Sequence, residues 1–589
     1  MLRNPSFRAV LVSLLTINIA AGPTSLSAQG TPADVPSITI RTNTRLVLVD
    51  VVVKDKKGQP VPGLKAEDFT LEEGGKKQKI SVFIPPGVTN KAASAPPPPG
   101  VFSNHPENVG PGGSALVLVL DATNSLFTQQ AFARSSMLNY AANQSQSGRS
   151  MAVLTLTDRL HVLQDFTSDP TILATAIRNF RPQEPILQPA PAPPGSAANP
   201  DSSVRGGAAL ASTLANAQAE IAAFNNLQIG HEIERRTLIT IEAMRSLARM
   251  LGGLQGRKTV VWLTGNLPFD LIPEDRAVSD AELLADLPGQ GSQRSAAVNG
   301  AGSQASEQRS LHAKEIRDAE SQLASANIAI YPVDLHGLVG GAENLATASF
   351  SHSDDINNAS LANAALGQSS VLVNSQGTLK EVAAETGGKA YTNQNEIQQG
   401  VALAVADDTA SYELGYYPEN KKWDGKYRSI KVKLAHGDTE VRYRKGYFAN
   451  EPGPTKDHNP EQDVAAALLV NAPATQVSFM AQAKPTDPGK LRVVFLVDAR
   501  TLSAEDASGS KKMNVSMYAS IYDPSGKNLG TRSIKVDRTF DAATYQQILD
   551  KGMMVPIDMD IPAGGKELRL AVLDNKTGLI GTVNGPLGQ

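Results

Sequence analysis

One apolar run constrains the fold of this chain more than any other feature. Residues 115–120 are all apolar, and the run ends at Asp121. An uninterrupted run of this kind is typical of a strand buried on both faces of a parallel sheet. Largely apolar strand patterns return at 150–157, 259–263 and 328–333, with helical patterns between them. Strands that alternate with helices predict a doubly wound α/β domain.

Strand patterns lie on both sides of this α/β segment. Residues 38–84 and 406–450 are rich in branched and aromatic residues and are punctuated by Gly and Pro turns, so we expect them to form one β-sandwich. The α/β domain, at 114–405, is then flanked by that sandwich or inserted into it. Residues 462–589 are again rich in strand patterns, which predicts a C-terminal β-sandwich. The expected fold class is therefore multidomain α/β plus β.

Four segments interrupt these patterns. Residues 85–113 include a run of prolines and are interpreted as a linker. Segments near 182–230 and 265–310 are interpreted as surface insertions in the α/β domain. The polar, proline-bearing segment 451–461 is interpreted as a second linker. We expect limited proteolysis there to release a folded C-terminal fragment.

The N-terminal residues have the features of an export signal. Arg3 and Arg8 precede an apolar stretch at 9–21, and small residues follow up to Ala28. This pattern predicts a signal peptide at 1–28 and a periplasmic or extracellular protein. An uncleaved membrane anchor is the alternative. No later apolar run is long enough to cross a bilayer, so no membrane span is expected in the mature chain.

Charge and cysteine content exclude several classes of function. The chain has 55 Lys and Arg against 58 Asp and Glu, a net charge of -3. Nucleic acids and anionic membranes need a basic surface, so neither is the expected main partner. The absence of cysteine excludes disulfides, thiol catalysis and thiolate metal sites. The sequence does not predict an oligomeric state or name a partner.

The loop after the first apolar run is the candidate site. Residues 121–125 spell D-A-T-N-S, so Asp121, Thr123 and Ser125 offer three oxygen donors at a strand end. Ligands of doubly wound folds bind at such ends, and oxygen donors suit Mg²⁺. The alternative is a capping loop, in which Asn124 or Ser125 caps the next helix.

This loop resembles the metal-ion-dependent adhesion site of von Willebrand factor type A domains. Over roughly 40–450 the chain is similar to bacterial exported proteins related to that family, of the type found in acidobacteria. The supporting segments are QDFTSDP at 164–170, GRKTVVW at 256–262, YPVD at 331–334, WDGKYR at 423–428 and RYRKGY at 442–447. The resemblance implies a type A α/β domain that binds a protein. In that family a divalent cation is often completed by an acidic side chain of the partner.

The resemblance also implies a set of metal ligands. Thr237 is the best match for the remaining threonine of the site, and Thr240 is the alternative. The implied ligands are Asp121, Thr123, Ser125 and Thr237, for a weakly bound Mg²⁺, Mn²⁺ or Ca²⁺ ion. On this interpretation, Asp121→Ala abolishes cation-dependent binding and leaves the fold intact.

The chain departs from the family pattern at the fourth strand. The family has a Thr-Asp-Gly-like turn there, whereas this chain has Thr264-Gly265-Asn266. Gly265 supplies no carboxylate, so the site is expected to be degenerate. Asp334, after the next strand, is either a substitute carboxylate or a turn residue.

The leading functional hypothesis is an exported, adhesion-type binding protein that recognises a protein ligand. The alternative is a structural scaffold component of an envelope assembly with a vestigial metal site. No catalytic function is expected, because the sequence has no Gly-x-Ser-x-Gly elbow, P-loop or dinucleotide fingerprint.

Overall fold

The computed structural model describes most of the chain outside its N-terminus. The described residues are 46–86, 98, 100–106, 114–143, 150–183, 231–254, 256–268, 312, 314–337, 375–394, 396–435, 437, 439–451 and 459–587. The expected signal peptide, the strand residues before 46 and most of both expected insertions lie outside them.

A five-stranded sheet, here called the central sheet, forms the middle of the molecule. Its strands in spatial order are Ile328–Asp334, Lys258–Thr264, Ala115–Asp121, Met151–Leu156 and Leu160–Thr167. The first four are parallel, and the edge strand Leu160–Thr167 is antiparallel to its neighbour. Along the strand Ala115–Asp121, Val119 faces one hydrophobic core and Leu118 faces the other. Burial on both faces explains why the run lacks a polar position.

Helices cover both faces of the central sheet. One core is lined by helices 231–251, 314–325 and 375–386. The other core is lined by helices Phe127–Asn143, Pro170–Asn179 and Ile397–Thr409. The described residues therefore have the mixed α/β architecture that the alternating pattern predicts. Beyond the edge strand Ile328–Asp334, one isolated bridge links Val333 to Tyr391.

Strands from before and after the α/β segment form two sheets with a common core, here called the split double sheet. One sheet has the order Thr439–Arg442, Val47–Asp55, Ser411–Tyr416 and Ile80–Ile84. The other has the order Gly446–Phe448, Tyr427–Leu434, Phe69–Glu73 and Lys76–Gln78. Val51 and Tyr412, paired across the first sheet, both lie in the shared core.

A second pair of sheets, here called the C-terminal double sheet, follows the helix Pro460–Leu469. One sheet has the order Met553–Asp560, Lys490–Val497, Phe479–Pro485 and Val101–Ser103. The other has the order Glu505–Ala507, Ser510–Tyr522, Glu567–Asp574 and Ile580–Pro586, and Asn528–Phe540 also pairs with Ser510–Tyr522. The helix Ala542–Lys551 packs against their common core.

The strand Val101–Ser103 corrects the interpretation of 85–113 as a linker. It pairs with Phe479–Pro485, and Phe102 lies in the core of the C-terminal double sheet. Asn104 then donates to the carbonyls of Ala474 and Val477 at 2.6 and 2.8 Å. A fragment that begins after residue 461 lacks this strand, so the fragment expected from proteolysis is incomplete. A three-residue strand beside a proline run has no periodicity that a sequence can display.

The second expected linker, 451–461, also ends within structure. Asn459 caps the helix that begins at Pro460, and its side chain accepts the amide hydrogen of Glu461. Residues 459–461 of this segment are therefore the start of a helix that packs on the C-terminal double sheet.

The C-terminal double sheet is joined to the α/β domain through Thr475. Its hydroxyl donates to the carbonyl of Met250 at 2.7 Å and accepts the amide hydrogen of Gly253 at 2.9 Å. A Cβ atom on Gly253 would lie 1.9 Å from the carbonyl oxygen of Thr475, so only glycine fits there. No helix among the described residues is both long and apolar enough to cross a membrane.

Candidate functional site

Three elements meet at the carboxyl end of the central sheet. Asp121 ends one strand, and Thr264 ends the strand beside it. The loop after Asp121 leads into helix Phe127–Asn143, and the first turns of helix 231–251 face the same loop through Arg236 and Thr240. The fold therefore brings most of the predicted site together, as expected for strand ends in a doubly wound sheet.

Asp121 is buried and is surrounded by hydrogen-bond donors. Its side chain is 2% exposed. One carboxylate oxygen, Oδ2, accepts from Trp262 Nε1 and from Asn124 Nδ2, both at 2.9 Å. The Thr264 hydroxyl lies 3.0 Å from the same oxygen. The other oxygen, Oδ1, accepts the backbone amide of Asn124 at 2.9 Å.

Asn124 connects Asp121 to a cationic side chain. Its Nδ2 donates to Asp121 and also to the hydroxyl of Thr240, at 3.0 Å. Its Oδ1 accepts from Nε of Arg236, again at 3.0 Å. The Asn124 side chain therefore bridges a buried carboxylate and a guanidinium and does not act as the helix cap that the sequence left open.

Of the two predicted hydroxyl ligands in this loop, Thr123 is turned away from Asp121. Its hydroxyl lies within hydrogen-bonding distance of the carbonyls of Leu156 and Thr157, in the neighbouring strand and its loop. Ser125 stays close, since its hydroxyl accepts the backbone amide of Gly265 at 2.9 Å. Both hydroxyls tie the loop to neighbouring strand ends.

The predicted threonine ligand also binds within its own element. The hydroxyl of Thr237 donates to the carbonyl of Ile233, one turn earlier in the same helix, at 2.8 Å. Thr240, the alternative, donates to the carbonyl of Arg236 and accepts from Asn124. Thr240 therefore contacts the site, whereas no hydrogen bond among the described residues links Thr237 to it.

These contacts do not fit a divalent cation bound at Asp121. A cation needs oxygen lone pairs, but three N–H groups point at the Asp121 carboxylate. A guanidinium already enters the same network. Among the described residues, no group of three His, Cys, Asp or Glu side chains is arranged to hold a metal ion. The arrangement instead satisfies one buried carboxylate with internal donors.

The position of the missing family aspartate is filled. A Cβ atom on Gly265 would lie 2.3 Å from Oε1 of Gln129 and 3.1 Å from the carbonyl oxygen of Asn124. That same Gln129 oxygen accepts the amide hydrogen of Leu126 at 2.8 Å, so it helps to hold the loop. A carboxylate at 265 would first have to displace the Gln129 side chain.

Asp334 belongs to a different cluster. Its carboxylate accepts from the backbone amide and the ring of His336, at 2.9 and 2.6 Å, and from Gln376 Nε2 at 3.0 Å. The strand that carries Asp334 lies two positions from the strand of Asp121, a separation of about 10 Å. Asp334 therefore acts as a local turn residue and does not substitute for the missing carboxylate.

Burial dominates the electrostatics of the site. Burial raises the pKa of the Asp121 carboxyl, and the hydrogen bonds from Asn124 and Trp262 oppose that rise. Burial lowers the pKa of Arg236, and the negative charge of Asp121 opposes that change. Asp121 therefore favours the charged form of Arg236 across the Asn124 amide.

Sequence reasoning missed the residues that define this environment. Trp262 lies inside a buried strand, where a tryptophan predicts only core packing. Arg236 directly precedes the predicted ligand Thr237, but a single arginine near the start of a helix is most simply interpreted as a surface residue. Gln129 reaches the Gly265 position only through the loop geometry. No local pattern distinguishes these three side chains from ordinary neighbours.

Two large apolar side chains are exposed beside this polar centre. Leu126 and Phe127, directly after Ser125, are 47% and 46% exposed. Exposed apolar side chains that adjoin polar groups are typical of protein interfaces. The carboxyl end of the sheet therefore offers an apolar pair next to a buried charge network.

Comparisons with known proteins add little to this geometry. No protein-family model matches the chain, and no curated protein matches its sequence. An aerotolerance-related membrane protein from Bacteroides fragilis matches in structure with 11% identity over 50% of this chain and 99% of its own, at a TM-score of 0.21. A von Willebrand factor type A protein from Catenulispora acidiphila matches with 7% identity over 93% of this chain and 75% of its own, at a TM-score of 0.20. These TM-scores are too low to indicate a shared fold, and nothing about this chain follows from them.

Proposed function

We propose that this chain is an exported, adhesion-type protein that binds a protein partner at the carboxyl end of its central sheet. One observation carries the proposal: Leu126 and Phe127 are exposed directly beside the polar centre of Asp121, Asn124 and Arg236. An apolar contact next to an oriented polar group is the composition expected at the core of an interface.

Two further points support the proposal. Doubly wound folds bind their ligands at the carboxyl ends of their strands, where this surface lies. The D-A-T-N-S loop at 121–125 resembles the ligand loop of von Willebrand factor type A domains. We propose no catalytic activity and no bound Mg²⁺, the latter because the donors around Asp121 do not suit a cation.

Export rests on the pattern at 1–28. We expect the mature N-terminus within a few residues of Ala28, in a periplasmic or extracellular fraction. N-terminal sequencing of that fraction tests this part separately. Soluble cytosolic protein that retains Met1 would contradict export without affecting the binding surface.

The binding surface is tested by capture from envelope extract. The immobilised mature chain is compared with a variant that carries Leu126→Ser and Phe127→Ser. We expect the variant to lose the captured partner, because it loses the apolar contact while its polar centre is unchanged. Addition of EDTA is expected to leave capture by the wild type unchanged.

A matched control uses an exposed apolar residue elsewhere. Met554, in the C-terminal double sheet, is 51% exposed. Met554→Ser is expected to capture the partner as the wild type does. Equal capture by the double variant would contradict this surface. Loss of capture with EDTA would restore the cation-dependent interpretation.

A structural scaffold in an envelope assembly is the second candidate. It is favoured by the contacts that join the α/β domain to both double sheets, such as Arg257 to Asp50 and Thr475 to Met250. A scaffold presents several faces to its partners. Capture that survives the change at Leu126 and Phe127 but is lost with Met554→Ser would favour it.

A further inference from the structure

We propose that Arg236 takes the place of the divalent cation and binds an acidic side chain of the partner through its terminal amino groups. This inference rests on the proposed function, because it assigns the polar contact of the same surface. On this inference, the positive charge that contacts the partner belongs to the chain itself, and no dissociable metal ion is needed.

The inner side of the Arg236 guanidinium is held by Asn124. Nε of Arg236 donates to Asn124 Oδ1 at 3.0 Å, and Asn124 Nδ2 donates to Asp121 Oδ2 at 2.9 Å. A buried carboxylate needs a compensating positive charge or a full set of donors. Here the Asn124 amide orients Arg236 toward Asp121, so the guanidinium is held in position before any partner binds.

The outer side of the Arg236 guanidinium carries its two terminal nitrogens. Among the described residues, no acceptor is hydrogen-bonded to the two terminal nitrogens of Arg236, and its side chain is partly exposed. The neighbouring Arg235 differs, since it forms two hydrogen bonds with Glu232, at 3.0 and 3.1 Å. Glu232 is thus hydrogen-bonded to Arg235, while its charge also acts on Arg236. On our proposal, the ligand reaches the outer edge of the partly exposed Arg236.

A carboxylate is the ligand whose shape and charge match the Arg236 guanidinium. The planar guanidinium presents parallel N–H groups whose spacing matches the two oxygens of a carboxylate. An acidic side chain could therefore bind Arg236 in a bidentate manner, beside the apolar contact at Leu126 and Phe127. Binding of this kind does not depend on divalent ions but weakens as salt is added.

Trp262 provides a reporter for the test. Its indole donates to Asp121, and the chain has only one other tryptophan, Trp423. In a Trp423→Phe background, tryptophan emission therefore reports on this site alone. Full-length protein is titrated with pentaglutamate, with EDTA or MgCl₂ present at matched ionic strength. We expect pentaglutamate to change the emission equally in both conditions and less at high salt.

Three variants identify the residue responsible. Arg236→Met is expected to weaken pentaglutamate binding by about tenfold or more, the usual effect of losing a hydrogen bond to a charged group. Arg236→Lys keeps the charge without the planar donor pair, so its affinity for pentaglutamate is expected to lie between those of the parent and of Arg236→Met. Arg178→Met, which changes an exposed arginine at the end of helix Pro170–Asn179, is the matched control and is expected to bind as the parent does. Thermal unfolding of each variant checks that it is folded.

The inference is overturned by any of three results. These are no response to pentaglutamate in the parent, unchanged binding in a folded Arg236→Met, or a response to MgCl₂ or MnCl₂ that Asp121→Asn abolishes. If Arg236→Met does not fold, Arg236→Lys and the cation titration of the parent decide. The assay contains no natural partner. A partner captured through Leu126 and Phe127 despite Arg236→Met would therefore leave the proposed function standing.

Discussion

The two ends of the central sheet differ in how they use charge. At the carboxyl end, Asp121 is balanced by neutral donors and by Arg236 acting through Asn124. At the amino end, carboxylates and cations from the α/β domain and the split double sheet contact each other directly. There Arg257 lies 3.3 Å from Asp50 and 4.0 Å from Asp408.

The network at the amino end joins two regions of the chain. Arg257 comes from the α/β domain, and Asp50 comes from the first strand of the split double sheet. Arg257 also donates to the hydroxyl of Tyr331 at 2.8 Å. In the same interface, Asp407 pairs with both Lys54 and Arg442.

The difference indicates which end of the sheet is fixed by internal ion pairs. Removing one member of a buried ion pair strongly destabilises the folded state, because the other charge is left uncompensated. The amino-end network therefore holds the α/β domain against the split double sheet. Among the described residues, the carboxyl end has two buried carboxylates, Asp121 and Asp334, each satisfied by nearby donors, and it exposes Leu126 and Phe127. The ion pairs of this domain therefore lie mainly in its contact with the split double sheet, and the carboxyl end is the face that we propose for a ligand.

The largest expected effect is at the amino end. Arg257→Met leaves Asp50 and Asp408 buried without their main cation, and we expect a loss of about 3–5 kcal/mol in the free energy of unfolding. Denaturant titration measures it. Arg492→Met is the control, because its pair with Asp558 is exposed and screened by solvent, so little change in stability is expected. Similar losses in both variants would contradict a locking role for the network.

The next effect is at the carboxyl end. Asp121→Asn directs an amide toward the N–H groups of Trp262 and Asn124, and we expect about 2–4 kcal/mol of destabilisation. This prediction reverses the expectation that changing Asp121 leaves the fold intact, since that residue is buried. Asp537→Asn, at an exposed position, is the control and should unfold as the wild type does. A stable Asp121→Asn would mean that the donors around it contribute little.

A pH series sharpens the comparison. Burial lowers the pKa of Lys258, at the amino end, to about 8 from 10.5. Between those values the unfolded chain binds more protons than the folded chain, so raising the pH stabilises the folded state. The stability of the wild type relative to Lys258→Met is therefore expected to rise by about 2–3 kcal/mol over this range. A difference that does not change with pH would place Lys258 in a more solvated environment.

The smallest effect is expected for Thr237. Its hydroxyl bonds to the carbonyl of Ile233 in its own helix, so Thr237→Val is expected to change stability by about 1 kcal/mol or less and to leave pentaglutamate binding unchanged. Denaturant titration and the Trp262 assay measure both quantities. A large loss of binding in this variant would return Thr237 to the site as a ligand.

The sequence by itself determined the elements whose pattern is local. The apolar run at 115–120 predicted a doubly buried strand, because burial on both faces removes every polar position. Asp169 and Pro170 begin a helix in the structure, as an aspartate cap followed by proline predicts, since capping depends on adjacent residues. The D-A-T-N-S loop was correctly placed at a strand end for the same reason.

Tertiary structure decided the contacts that join distant residues. Val101–Ser103 became a strand only because Phe479–Pro485 offers it an edge. Trp262 and Arg236 reached Asp121 from other elements, and their donors turned an expected metal ligand into a saturated carboxylate. Hydrogen bonds of this kind depend on distances between separate strands and helices, and a linear pattern of residue types carries no record of those distances.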